Sequence, residues 1–246
     1  TKVGAFLANF RDDSLAGLNL LSHYNLGLTA DILTNSGWSL NTEFNYQMGT
    51  IENSSSTGDD VDMSGYSFMA KVGVPALMDG KLKLFGELGI GSGDNPDTDD
   101  EFEGYIGVGP FYPYAWAYEY RFLHYIHNSS KFFTRYQSRG MYDNLAPGLE
   151  NTTYLKATGI FTLPKVLNMV ANPQFIFSPI YLGLTEEGEA FGYELDNILV
   201  VPIYKNFSYQ FIFAYVIPSE YMKDRTTGPD IEDNSWAIRS QVAFTF

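Results

Sequence analysis

The sequence predicts an all-β protein: a transmembrane antiparallel β-barrel of about 12 strands, within a range of roughly 10 to 14. Three observations predict it. Residues 236–246 alternate, with Trp236, Ile238, Ser240, Val242, Phe244 and Phe246 on one face and Ala237, Arg239, Gln241, Ala243 and Thr245 on the other, as the two-residue period of a strand requires. The 246 residues include 19 Phe, 18 Tyr and 3 Trp with only 18% charged. Yet no run of about 18 apolar residues is present to form a membrane helix, so apolar residues are spread one position in two. Finally, tight turns alternate with long polar connections, as in a barrel whose hairpins are short at one end and long at the other. The edge strand of a soluble sandwich is the competing reading of the last segment.

The elements follow in order. Val3–Phe10 is strand-like. Residues 14–33 carry an apolar phase through Ala16, Leu18, Leu20, Tyr24, Leu26, Leu28, Ala30 and Ile32. One strand of that length overshoots an apolar band about 25 Å tall, and two strands need a turn near Asn25–Gly27. Trp38–Gly49 sets Trp38, Leu40, Phe44, Tyr46 and Met48 against Ser39, Asn41, Glu43, Asn45 and Gln47. Segments 65–75, 81–91, 153–163 and 173–184 repeat the pattern less regularly. Segments 191–203 and 207–217 repeat it clearly, with Glu194 and Asp196 opposite one apolar set and Ser208 and Gln210 opposite the other. Ser36–Gly37, Met78–Gly80 and Lys205–Asn206 are tight-turn signals. The connections 52–63, 185–190 and 219–235 are longer, polar and acidic. Residues 95–152 are too many for an unstructured connection. They are expected to form a long outer loop or a pore-associated insertion, containing a strand pair, a short helix or a loop folded into the barrel. The whole of 1–246 reads as one barrel.

Composition excludes several function classes. Cysteine is absent, which removes disulfide scaffolds and thiolate metal sites. Net charge is −14, and much of it sits in connections: Asp59, Asp60 and Asp62, the stretch 94–103, Glu186 and Glu187, and 230–233. That argues against nucleic acid as a partner. The chain begins at Thr1 with neither initiator methionine nor signal peptide, so a processed or truncated product is expected.

Two resemblances follow from these residues. A last strand closing on Phe244 and Phe246 is similar to the terminal strand of bacterial outer-membrane β-barrels, whose final aromatic is read by their insertion machinery. The resemblance implies a bacterial outer-membrane location, with short turns in the periplasm and long loops outside. It also implies contact with outer-membrane lipids and lipopolysaccharide, to which acidic loops can bridge through divalent cations; solvated loop charge is the other reading. Three further segments, Glu43–Gly49, Gly89–Asp94 (ending Ser92, Gly93, Asp94) and Gly192–Asp196 (Gly192, Glu194, Asp196), resemble in order the alginate-export family of outer-membrane porins. With the last strand they span residues 38–246. Members of that family are longer, so the resemblance implies either a missing N-terminal portion or a smaller relative. The exported polyanion is not carried over on these motifs.

If the apolar face meets lipid, the opposite phase lines a pore. That phase holds Asn19, Asp31, Glu43, Asn45, Gln47, Lys71, Lys83, Glu87, Lys156, Glu194, Asp196, Gln210 and Arg239. A Lys or Arg facing hydrocarbon near the midplane costs about 2–4 kcal/mol, which drives these charges inward. Five acids and four bases among them suit internal ion pairs as well as a polar pore. Arg121, Lys131, Arg135 and Arg139, with His124 and His127 and interleaved Tyr and Phe, are candidate selectivity residues, since cations beside aromatic rings suit anionic or sugar ligands. A strand pair with snorkelling bases is the alternative. Asp94, Asp97, Asp99, Asp100 and Glu101 offer oxygen ligands for a structural Ca²⁺, but without the spacing of a Ca²⁺ loop. No other cofactor is expected. His23, His124 and His127 form no metalloprotease motif, and an enzyme is not expected. The expectation is therefore a porin-like channel for polar solutes, including sugars or polysaccharide. The alternatives are a barrel enzyme acting on lipid or protein, and a structural barrel that joins partner subunits.

Overall fold

The computed structural model describes residues 1–12, 21–52, 60–93, 101–105, 152–165, 169–183, 190–220 and 234–244. Among them are eleven strands: β1 (Lys2–Asp12), β2 (Leu21–Leu33), β3 (Ser39–Ile51), β4 (Val61–Gly73), β5 (Leu82–Gly91), β6 (Glu101–Phe102), β7 (Thr152–Thr162), β8 (Gln174–Gly183), β9 (Ala190–Tyr204), β10 (Phe207–Pro218) and β11 (Ser235–Phe244). They form one sheet in the order β1-β2-β3-β4-β5-β7-β8-β9-β10-β11. Every neighbouring pair on that path is antiparallel. The sheet is all-β and barrel-like but, among the described residues, not closed: there β1 pairs only with β2, and β11 only with β10.

The expected tight turns connect neighbours. Ser36 and Gly37 lie between β2 and β3, where Gly37 N donates to Thr34 O at 3.0 Å. Met78, Asp79 and Gly80 all take positive φ between β4 and β5, the left-handed conformation that closes a short hairpin. Lys205 and Asn206 join β9 to β10. The stretch 14–33 does not turn near Asn25–Gly27. Its described residues, 21–33, form β2, and Asn25 and Gly27 sit in mid-strand opposite Ala8 and Phe6 rather than in a turn. The connection expected over 52–63 is also shorter at its end, because β4 already starts at Val61.

Burial alternates along the strands, but inside out relative to a soluble sheet. On one face Tyr24, Leu26 and Leu28 of β2, Met48 of β3, Leu155 of β7, Tyr193 of β9 and Trp236, Ile238, Val242 and Phe244 of β11 are exposed. On the other, Glu43, Asn45, Gln47, Ser67, Ser178, Glu194 and Asp196 are buried. The face that is more often greasy in a globular sheet is here the polar one, and we call it the inner face. It is not wholly polar: Val61, Met63, Met69, Ile180, Ile212, Ala214 and Val216 are buried on it too.

The long connection after β5 starts by folding back onto the sheet. Along β4, Ser67–Gly73 pairs with β5, whereas Asp62 and Met63 pair with Glu101 and Phe102 of β6, in parallel. Ser92 fixes this switch. Its Oγ accepts from Tyr66 N at 2.9 Å and donates to Glu103 O at 2.7 Å, and its carbonyl accepts from Tyr105 N at 3.0 Å. The chain then crosses Gly65, where a Cβ would stand 2.7 Å from the Gly104 carbonyl oxygen. Only a residue without a side chain permits that approach.

Candidate functional site

The inner face gathers the polar residues from separate strands. In β3, Asn45 Nδ2 donates to Glu43 Oε1 at 2.7 Å and to Ser67 Oγ of β4 at 3.3 Å. Gln47 lies on the same face one step further along and is fully buried. Asn41 Nδ2 donates to Asp31 Oδ1 at 2.6 Å across the β2–β3 pair. Lys71 Nζ of β4 lies 3.5 Å from Glu87 Oε2 of β5, and it also sits over the Phe85 ring at 5.1 Å. Tyr154 of β7 donates from its hydroxyl to Glu87 Oε1 at 2.9 Å. Lys156 stands directly opposite Glu87, while Glu194 and Asp196 of β9 are 3% and 2% exposed.

The remaining residues assigned inward by phase sit near the ends of this surface. Lys83 is exposed and opposite Ile160. Gln210 accepts from Gln241 Nε2 across the β10–β11 pair. Arg239 is exposed on the edge strand, opposite the buried Ile212. Asn19, the selectivity candidates Arg121, Lys131, Arg135 and Arg139, and the calcium candidates Asp94, Asp97, Asp99 and Asp100 lie outside the described residues. Among the described residues no group of three His, Asp or Glu is arranged to hold a metal ion.

Several inner-face residues were missed by phase reading. His23 and Asn25 are fully buried on β2. They share the odd-numbered phase of Asp31, and that phase was the signal that could have found them. Tyr154 shares the phase of Lys156, but an aromatic residue in such a strand reads first as lipid-facing. Tyr105 carries no periodic signal at all. It is 1% exposed, and its hydroxyl lies beside Ser67 and Asn25. Burial, with Glu43 adding to it, pushes its phenol up to about 12 against the pull of those two partners. The group is therefore a neutral hydroxyl that can both donate and accept at any ordinary pH. It is the point where the connection after β5 touches the polar surface.

The outer face has its own relief. A groove of about 970 Å³ crosses β5, β7 and β8 there, with Gly86, Ala157 and Pro179 as a low floor beside Leu88, Leu155 and Tyr181. It is almost wholly apolar, although Glu87, Lys156 and Glu194 also border it.

The chain matches no family model and no curated protein. What the arrangement offers chemically is a sheet with a polar, largely buried inner face and a greasy outer one.

Proposed function

We propose that this chain forms a transmembrane β-barrel of the bacterial outer membrane and that its polar interior provides a narrow path for polar solutes. The observation that carries the reading is the inverted burial: exposed Tyr, Leu, Phe and Trp on one face of every long hairpin, against Glu43, Gln47, Glu194 and Asp196 buried on the other. Water makes the first face costly at about 25 cal/mol per Å², whereas lipid makes it favourable. Strand length fits as well. Strands of 11 to 13 residues such as β1 to β4 rise about 40 Å, and a tilt of about 45° reduces this to about 28 Å, close to an apolar band of about 25 Å. In this reading β1 and β11 pair with each other to close the sheet, since an open edge is not tolerated in lipid. Outer-membrane lipids and lipopolysaccharide surround the barrel, and polar solutes occupy it. The likeness to alginate-export porins supports the channel reading through Glu43, Ser92 and Glu194, which all lie on or beside the inner face.

One observation favours a second reading, a sealed structural barrel that joins partner subunits: Gln47, Asn45 and Asp196 are almost completely buried, so that part of the interior is filled. Planar-bilayer recording of the purified protein separates the two. The channel reading expects discrete conductance steps; a folded, inserted protein that never conducts would refute it and leave the sealed barrel.

A further inference from the structure

One row of the inner face runs straight across six strands. Lys2 stands opposite Asp31, Asp31 opposite Asn41, Asn41 opposite Lys71, Lys71 opposite Glu87, and Glu87 opposite Lys156. The signs run plus, minus, neutral, plus, minus, plus, with Asn41 as the neutral member and three bases to two acids; the further inward acids Glu43, Glu194 and Asp196 offset that excess together with Lys83 and Arg239. The contacts follow the signs: Asn41 to Asp31 at 2.6 Å and Lys71 to Glu87 at 3.5 Å. Burial works against the charge on Lys156; Glu87 opposite it attracts that charge, Lys71 beyond repels it, and Asp196 and Glu194 attract it more weakly. With Lys2 counted, the inward acids and bases named above number five each.

We propose that this alternation makes the wall of the lumen electrically silent, so that the solutes it admits are neutral or zwitterionic polar molecules, selected by size and hydrogen bonding, and not polyanions. The inference rests on the channel reading above. Its physical basis is the spacing of the row. Strands lie about 4.8 Å apart, so along Lys71, Glu87 and Lys156 the sign repeats about every 10 Å, and the potential of a long row with that period falls by a factor of e for about every 1.5 Å from the wall. About 6 Å into the lumen only a few per cent of it remains. A ring of one sign has no such cancellation and attracts counter-ions across the whole opening. Lys71 is only partly covered, with 34% of its side chain exposed against 10% for Glu87. Removing either member would therefore leave the other's charge uncancelled at the lumen.

The test uses the full chain in planar bilayers under a KCl gradient, and in liposomes swollen by glucose or by glucuronate at pH 7. We expect a potassium-to-chloride permeability ratio within about twofold of one, and similar swelling by the two sugars. Lys71→Gln should move the ratio several-fold toward cations, Glu87→Gln several-fold toward anions, and the double variant should return it. A wild-type ratio beyond about fivefold in either direction, or entry of glucuronate with exclusion of glucose, would overturn the inference. So would single variants that conduct with an unmoved ratio. A folded protein that supports neither conductance nor swelling would instead remove the channel reading on which the inference stands.

Discussion

Gly89 and Tyr154 stand opposite each other on β5 and β7, and a Cβ at Gly89 would run into the Tyr154 ring. The ring lies down over the glycine, and from there its hydroxyl reaches Glu87 at 2.9 Å. Tyr154 is completely buried, so it has nowhere to retreat. Gly89→Val is expected to lift the ring, break the bond to Glu87 and cost about 1–3 kcal/mol by overpacking, read from urea unfolding of the folded protein in detergent. Tyr154→Phe keeps the ring and should cost only about 0.5–1.5 kcal/mol for the lost hydrogen bond. If the valine variant proves no worse than the phenylalanine variant, the ring does not need the glycine. Neither residue announces this role in sequence. Gly89 belongs to a motif beside a loop, its partner lies far along the chain, and register alone joins them.

At the scale of the strand, alternation was a good guide. The segments expected at 153–163, 173–184, 191–203 and 207–217 correspond to β7, β8, β9 and β10 within a residue or so at each end. The polar phase placed Glu43, Lys71, Glu87 and Glu194 on one face because a strand's side chains cannot do otherwise. It failed where one face changes character. On β8 to β10 the inner face holds Ile180, Ile212 and Val216, so apolar residues occur on both sides and phase no longer tells them apart. Ala157 tests the outer assignment. It is exposed at the centre of β7, on the face opposite Lys156. Ala157→Arg should destabilise the protein by about 2–4 kcal/mol when folding is measured in lipid bilayers. A cost below about 0.5 kcal/mol would mean that water, not hydrocarbon, covers that face.

For the whole molecule, the number of strands on the path decides how the ends can meet. Ten strands in successive antiparallel steps leave β1 and β11 antiparallel to each other, the arrangement that lets a barrel close on itself. The chain has no cysteine, so introduced pairs report cleanly. Ala5→Cys on the outer phase of β1, combined in turn with Ile238→Cys, Ser240→Cys or Val242→Cys on the outer phase of β11, should give an intramolecular disulfide in one register. The Cα atoms of paired strands lie within the roughly 4.4–6.8 Å that such a bond spans. Gel mobility before and after reduction reads the result. Cross-linked dimers in place of a compact monomer would mean that the two edges pair between copies instead.

Most strands were legible in the amino-acid order, and so were the faces of those with one clearly polar phase, because the two-residue period is local chemistry that any short window displays. The amino-acid order located three tight turns for the same reason. Only the tertiary structure decided register, and with it which charges meet: Lys71 with Glu87, Asn41 with Asp31, Tyr154 with Gly89. Those pairings join residues that are distant along the chain, and sliding one strand by two residues keeps the same face inward while changing every partner. The fold-back of the connection after β5 was decided the same way. Ser92, Gly65 and Tyr105 acquire their roles only where β4 gives up one neighbour and takes another.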